Sequence, residues 1–219
     1  MAAYMIEDSV PAMHAESQLF SVPVSYTDRW RYETERINPT TILTDDGTSG
    51  DINFYIPPST NAMLDLSNVT LDLELAVKVR SGSGTWEFVG PEDLVAPVNN
   101  ILHSLFQSVT LQIGNRVLSD AGSSYPYRAH LESLLFHSRA HADSILGNAG
   151  YRTETPDQLH NCTGNASAEW RRALVSKKEF VEFSGKLACD LLQQEKPLLT
   201  GVSVNVRLVA GKKEFYLIS

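Results

Sequence analysis

Val98-Asn-Asn-Ile-Leu-His-Ser-Leu-Phe-Gln-Ser-Val-Thr-Leu-Gln-Ile-Gly-Asn-Arg-Val-Leu118 changes its repeat halfway through. As far as Phe106 the apolar residues fall at Val98, Ile101, Leu102, Leu105 and Phe106, the spacing that lines one face of a helix. Beyond Gln107 they fall at Val109, Leu111 and Ile113 and alternate with Thr110 and Gln112, as in a strand with one face buried. Gly114-Asn115 is a two-residue hairpin turn into Arg116-Val-Leu118. A short helix running straight into a hairpin strand predicts a β fold that carries helices in its connections.

The rest of the chain is read outward from that point. In Val69-Thr-Leu-Asp-Leu-Glu-Leu-Ala-Val-Lys-Val-Arg80 the residues Val69, Leu71, Leu73, Leu75, Val77 and Val79 share one face. Asp72, Glu74, Lys78 and Arg80 share the other, which predicts one long strand facing a core. Ser81-Gly-Ser-Gly84 is a turn, and Thr85-Trp-Glu-Phe-Val89 the return strand. Strands are also expected at Leu19–Tyr26, over Asp51-Ile-Asn-Phe-Tyr-Ile-Pro-Pro58, near 178–185, over Leu187–Leu192 and over Val202–Val209, with Val202, Val204, Val206 and Leu208 inward. A second helix is expected near 127–138, with Tyr127, Leu131, Leu134 and Leu135 on its apolar face. The segment 37–50 reads as a loop with a turn at Asp46-Gly47, and 147–169 as a long aperiodic excursion. Inner strands of a parallel sheet would be continuous apolar runs, so this clean alternation predicts an all-β antiparallel sandwich with short helices in its connections.

The chain has 219 residues, 42% hydrophobic, 20% charged and a formal net charge of −8, which argues against a surface built to neutralise phosphates. No apolar run approaches the roughly eighteen residues of a membrane span, and the first residues lack the basic and apolar regions of a secretory signal. Two cysteines, Cys162 and Cys189, without CxxC spacing, give no disulfide framework or thiolate metal site. The sequons at Asn68, Asn161 and Asn165 are read as chance. His137-Ser-Arg-Ala-His141 would set two imidazoles on one helix face, but it lacks the glutamate and third ligand of a zinc site. Asp45-Asp46 is read as turn chemistry beside Gly47. The clusters Arg171-Arg172, Lys177-Lys178 and Lys212-Lys213 are read as solvated faces or intersubunit salt bridges, and Trp30, Trp86 and Trp170 as packing or interface anchors. No nucleophile elbow, phosphate loop or dinucleotide fingerprint occurs. The expectation is a non-enzyme with no catalytic, metal or cofactor-binding residues and no cofactor.

Four fragments carry a resemblance. Asn99-Asn-Ile-Leu-His-Ser-Leu-Phe106, the strand Val109-Thr-Leu-Gln-Ile113 with its hairpin, and Tyr125-Pro-Tyr-Arg-Ala-His-Leu-Glu132 resemble the major capsid proteins of Polinton or Maverick elements and adintoviruses. Those are similar to the double jelly-roll capsid proteins of adenovirus-like viruses. Leu198–Leu208, followed by Lys212-Lys-Glu-Phe-Tyr-Leu-Ile218, resembles the close of the family's first jelly roll. The resemblance marks Asn99, Asn100, Leu102, His103, Leu105, Phe106, Tyr125, Pro126, Tyr127 and Arg128 as structural motif residues. It implies a jelly-roll sandwich of about eight strands, with an N-terminal arm at residues 1–17 and a jelly-roll domain at residues 18–219, the first of two in the family's chains. The implied function is a virion shell protein, made inside the cell without a signal peptide. Its implied partners are itself, as a homotrimer giving a pseudo-hexagonal capsomer and then the capsid lattice, together with penton and minor capsid proteins. No direct nucleic-acid contact by this domain is expected. The ending Phe215-Tyr-Leu-Ile-Ser219 within an apolar run favours a fragment of such a protein. A penton-type single jelly roll and a ligand-binding jelly roll of lectin or cupin type are the other readings.

Overall fold

The computed structural model describes residues 32–41, 50–82, 84–120, 122–142, 144–176 and 180–219. The chain divides into two units, Met1–Arg36 and Ile37–Ser219, and the second is described below. The arm expected at 1–17, the strand expected at Leu19–Tyr26 and the turn at Asp46-Gly47 lie outside the described residues.

The largest sheet has four strands: β1 (Ile52–Ile56), β6 (Phe106–Ile113), β7 (Arg116–Asp120) and β9 (Val204–Ala210), in the order β1-β9-β6-β7. Three further pairs form between β2 (Leu71–Leu75) and β8 (Val181–Gly185), β3 (Lys78–Arg80) and β4 (Trp86–Phe88), and β5 (Ala96–Pro97) and β10 (Leu217–Ile218). Every pairing among these strands is antiparallel. Among the described residues five short helices punctuate them: α1 (Ile101–Ser104), α2 (Tyr125–Phe136), α3 (Arg139–Ala142), α4 (Ala166–Val175) and α5 (Lys213–Tyr216). The described part is thus antiparallel strands with short helices in the connections. Ile52, Val109, Leu111, Val204, Val206 and Leu208 of the four-stranded sheet share one core with Leu71 and Phe183 of the β2–β8 pair and with Ile101 and Leu102 of α1. Membrane-crossing helices are absent among the described residues.

The opening stretch folds as a helix into a hairpin strand, with the boundary moved. The helix covers only Ile101–Ser104, and Phe106, expected on the helix face, is the first residue of β6 and fully buried. The cause is a register shift: Phe106 lies opposite Ala210 but Ser108 opposite Val209, so Gln107 is an extra residue in the strand. A bulge of this kind lets Phe106 and Val109 point inward although they are three apart, and three is also a helical spacing.

The expected strand 69–80 is two strands. β2 pairs with β8 while β3 pairs with β4, and the break falls at Ala76-Val77. Alternation survives the break, with Asp72, Glu74, Lys78 and Arg80 exposed, because the apolar face serves the main core through Leu71 and a second cluster of Val77, Val89 and Val175 beyond it. Leu187–Leu192 is not a strand either: Leu187, Ala188 and Cys189 are buried in succession and the chain turns into a 3-10 helix at Asp190–Gln193. The 147–169 excursion is shorter than expected, since a 3-10 turn occupies Leu146–Ala149 and α4 starts at Ala166.

Helix α2 begins at Tyr125 and turns the opposite face inward from the one expected. Tyr125, Pro126, Ala129 and Ser133 are buried, whereas Tyr127, Leu131, Leu134 and Leu135 are exposed. The small residues Ala129 and Ser133 let the helix axis approach closely, and this contact determines its rotation.

Two glycines separate backbone strain from crowding. Gly150 (φ +77°) has no room for a side chain, since a Cβ would stand 2.5 Å from Ile101 Cγ2 and 3.0 Å from Phe183 Cε1, whereas Gly114 (φ +56°) faces open space. Gly150→Ala is expected to lose about 3 kcal/mol, from left-handed strain plus overpacking, and Gly114→Ala about 1 kcal/mol from strain alone. Urea unfolding followed by tryptophan fluorescence checks the order, and equal losses would contradict the packing described.

Candidate functional site

The motif residues His103 and Tyr125, twenty-two apart in sequence, meet at the junction of α1 and α2. His103 Nδ1 lies 2.9 Å from the Tyr125 hydroxyl, and that hydroxyl accepts from Ala188 N–H at 3.3 Å. We assign the phenol O–H as donor to Nδ1, which leaves the imidazole neutral with its own proton on Nε2. Burial holds His103 down at about 4 and raises the Tyr125 phenol, with the thiol of Cys189 adding to the latter effect. A neutral acceptor and a neutral donor are the forms that a site closed to water favours.

Asn100 precedes α1 in the left-handed conformation, φ 58° and ψ 46°, which asparagine tolerates better than most residues. Its carbonyl accepts from His103 and Ser104 N–H, both at 2.9 Å, and its own N–H reaches Gly150 O at 3.2 Å. The side-chain Nδ2 donates to Ser133 Oγ at 3.3 Å, and Ser133 donates in turn to Ala129 O. Asn100 Oδ1 is buried with no hydrogen-bond partner among the described residues. Asn99 binds main chain as a strand would: Nδ2 donates to Arg152 O at 2.7 Å and Oδ1 accepts from Arg152 N–H at 3.0 Å. Leu102 and Phe106 are fully buried, and Leu105 is half-buried with its carbonyl accepting from Gly211 N–H. Pro126 is buried in the first turn of α2, where its missing N–H is harmless. Tyr127 faces outward, edge-on to Phe215 at 5.7 Å, and Arg128 binds Glu132 and Asp190. Those two acids raise the Arg128 guanidinium, Asp190 foremost, while Arg128 lowers Asp190.

Four of the ten motif residues, Asn99, Asn100, His103 and Tyr125, therefore bond into a joint that holds α1, α2 and the coil after Gly150 together, Leu102 and Phe106 are buried in the core beside it, and Tyr127 and Arg128 lie outside it. The imidazole and phenol are spent on each other and buried, so the joint offers mechanical fixation rather than a group poised to react.

A second buried polar cluster escaped the sequence reading. Arg171 of α4 is 1% exposed. Its Nε donates to Pro97 O at 2.7 Å, Nη1 to Ser167 Oγ at 2.5 Å and Nη2 to Glu154 Oε1 at 2.9 Å. Burial lowers its pKa and Glu154 pulls it back up. Asn165 caps α4 by accepting from Ser167 N–H and ties down Glu154 by donating to Oε2 at 2.6 Å. Glu169 reaches back to Gly164 N–H at 2.8 Å. Asn165 followed four residues later by Glu169 was the available signal for this helix start, close to a capping box.

His137 and His141 do not share one helix. Their rings stack at 4.6 Å across the joint between α2 and α3. Among the described residues, groups of three or more metal-ligating side chains are absent. Both cysteines are buried thiols, and Cys162 Sγ donates to Ile218 O at 3.5 Å.

No family model matches this chain, and no solved structure matches it. An uncharacterized protein of Caenorhabditis elegans is 27% identical to it over 130 residues, which is 56% of this chain and 27% of that protein. The chain thus spans about a quarter of the length of this curated relative.

Two outcomes follow from these clusters. Between His103's ordinary value of 6.5 and its value of about 4 in the fold, the unfolded chain binds a proton that the folded chain refuses. Stability is then complete above pH 6.5 and falls as the pH drops toward 4, by up to about 3 kcal/mol. Denaturation midpoints from pH 7.5 to 4.5 should decline in the native protein more than in His103→Gln, and parallel declines would place the proton uptake elsewhere. Arg171→Met should cost about 3–5 kcal/mol because Glu154 keeps a half-buried charge without its cation. The double change with Glu154→Gln should recover part of that loss in the same measurement.

Proposed function

We propose that this chain is a capsid building block, the first jelly roll of a double jelly-roll major capsid protein that assembles as trimers of pseudo-hexagonal outline. The observation that carries the reading is the outer face of α2, where Tyr127, Leu131, Leu134 and Leu135 stand in solvent, Leu135 at 74% exposure, with Phe136 exposed at the helix end at 77%. A contiguous apolar stripe of this size marks a surface that a protein partner covers. Exposed Val117 and Leu118 on β7, a strand at the border of its sheet, add a second such surface. A protein carrying two apolar surfaces suits heterologous assembly, in which one patch of a copy meets a different patch of the next and the ring closes.

Two further features support the reading. Four of the residues through which the chain resembles the Polinton, Maverick and adintovirus capsid proteins, Asn99, Asn100, His103 and Tyr125, meet in one joint, which supports reading them as a structural unit. The antiparallel four-stranded sheet sharing a core with the β2–β8 pair is an arrangement that a jelly roll accommodates, with helices filling connections.

Mass photometry on the chain, and on a form extended through any second domain, tests the proposal. A threefold mass is expected from the extended form. A fivefold mass would reassign it to a penton-type protein, and a monomer at high concentration would overturn assembly altogether. Leu134→Glu with Leu135→Glu should leave the melting temperature almost unchanged, since both side chains face outward, and weaken association by about tenfold or more.

A further inference from the structure

Arg139 of α3 and Arg152 of the coil line a groove of about 680 Å³ that Tyr151, Thr153, Pro156 and Trp170 also wall. Arg128, Arg171 and Arg207 are each bound to an acid. Arg139 and Arg152 are exposed and have no carboxylate partner among the described residues. The Arg152 guanidinium rests over the Trp170 ring at 5.5 Å, which positions the cation while leaving its N–H edge open. Glu154, the acidic residue in the lining, is neutralised from behind, with one oxygen taken by Arg171 and the other by Asn165. A positive groove with an aromatic wall therefore stands in a chain whose net charge is −8.

Two cations are too few to hold a polyanion against that overall charge, whereas they match a pair of adjacent carboxylates. Residues 1–17 contain no Lys or Arg and carry Glu7 and Asp8 side by side, directly after Tyr4, Met5 and Ile6. We propose that the groove receives residues 4–11 of a second copy, with Glu7 and Asp8 on Arg139 and Arg152 and the apolar residues against Trp170. This inference rests on the assembly reading, and it names the contact that links neighbours. Exposed ion pairs are weak singly, but an arm tethered within an assembly meets its groove at high effective concentration.

The test is made on the whole chain. A p-benzoylphenylalanine photo-crosslinker at position 4 is placed in unlabelled protein, mixed with nitrogen-15-labelled protein, irradiated and mapped by mass spectrometry. Crosslinks from unlabelled arms to labelled peptides spanning Tyr151–Pro156 or α4 are expected. Arg139→Glu with Arg152→Glu should lower their yield about tenfold, and adding Glu7→Lys with Asp8→Lys should restore it. Crosslinks confined to single copies, or none while mass photometry still reports assembly, would overturn the inference and leave the assembly reading standing. A monomer in mass photometry would overturn both. Binding of a deoxythymidine decamer that quenches tryptophan emission and is abolished by the same arginine changes would overturn it in favour of a nucleic-acid groove.

Discussion

Arg171 places a full positive charge where water does not reach, and much of the surrounding architecture answers that demand. A buried guanidinium needs acceptors for its fork of N–H groups and a counter-charge close by. Here the acceptors come from three separate elements: Pro97 O in β5, Ser167 within α4 itself, and Glu154 in the coil. Satisfying one side chain thus aligns a strand, a helix and a loop. Asn165 completes the set by capping α4 and holding the second oxygen of Glu154. With its main chain bound to Asn99, Arg152 is left to direct its guanidinium outward beside Trp170, so the open groove is a by-product of the closed network behind it.

The joint of α1 and α2 works by the same logic with neutral groups. Tyr125 and His103 satisfy each other, Asn100 accepts a left-handed backbone to start α1, and Ser133 lets α2 sit close. Close approach requires small residues inward, and the consequence is that the large residues of α2 are turned out. Burying a Leu or Phe side chain is worth about 1.5–3 kcal/mol. The folded chain leaves four such opportunities on one helix unused, Leu131, Leu134, Leu135 and Phe136, and a second surface covering them would recover part of that energy.

What the sequence disclosed depended on whether periodicity and burial coincide. The strands β6 and β9 and the hairpin at Gly114-Asn115 were legible because one face of each meets the core and the turn chemistry is local. The face of α2 was not, since helical spacing identifies a stripe without saying whether the stripe meets this chain's interior or another surface. Phe106 was misplaced because a bulged strand and a helix both bring residues three apart to the same side. The single strand expected at 69–80 failed for a different reason: one apolar face served two clusters in succession, and a change of pairing partner leaves no mark on alternation. Within the site, the motif residues could be marked but their bonding could not. Arg171 reads from sequence as part of a solvated face or an intersubunit salt bridge because its partners at 97 and 154 are distant in sequence.

Asn165 carries a consequence that reaches outside the fold. It lies in an Asn-Ala-Ser sequon, yet its amide nitrogen is wholly enclosed and donates to Glu154 and to Gln158 O. An oligosaccharide joined to that nitrogen would remove a donor and add a bulk that this interior cannot admit. Sugar transfer in the secretory pathway acts on the nascent chain, before α4 has docked. A molecule modified at Asn165 could therefore not reach this structure, and recombinant production through a glycosylating export route would select against the native state at a single atom.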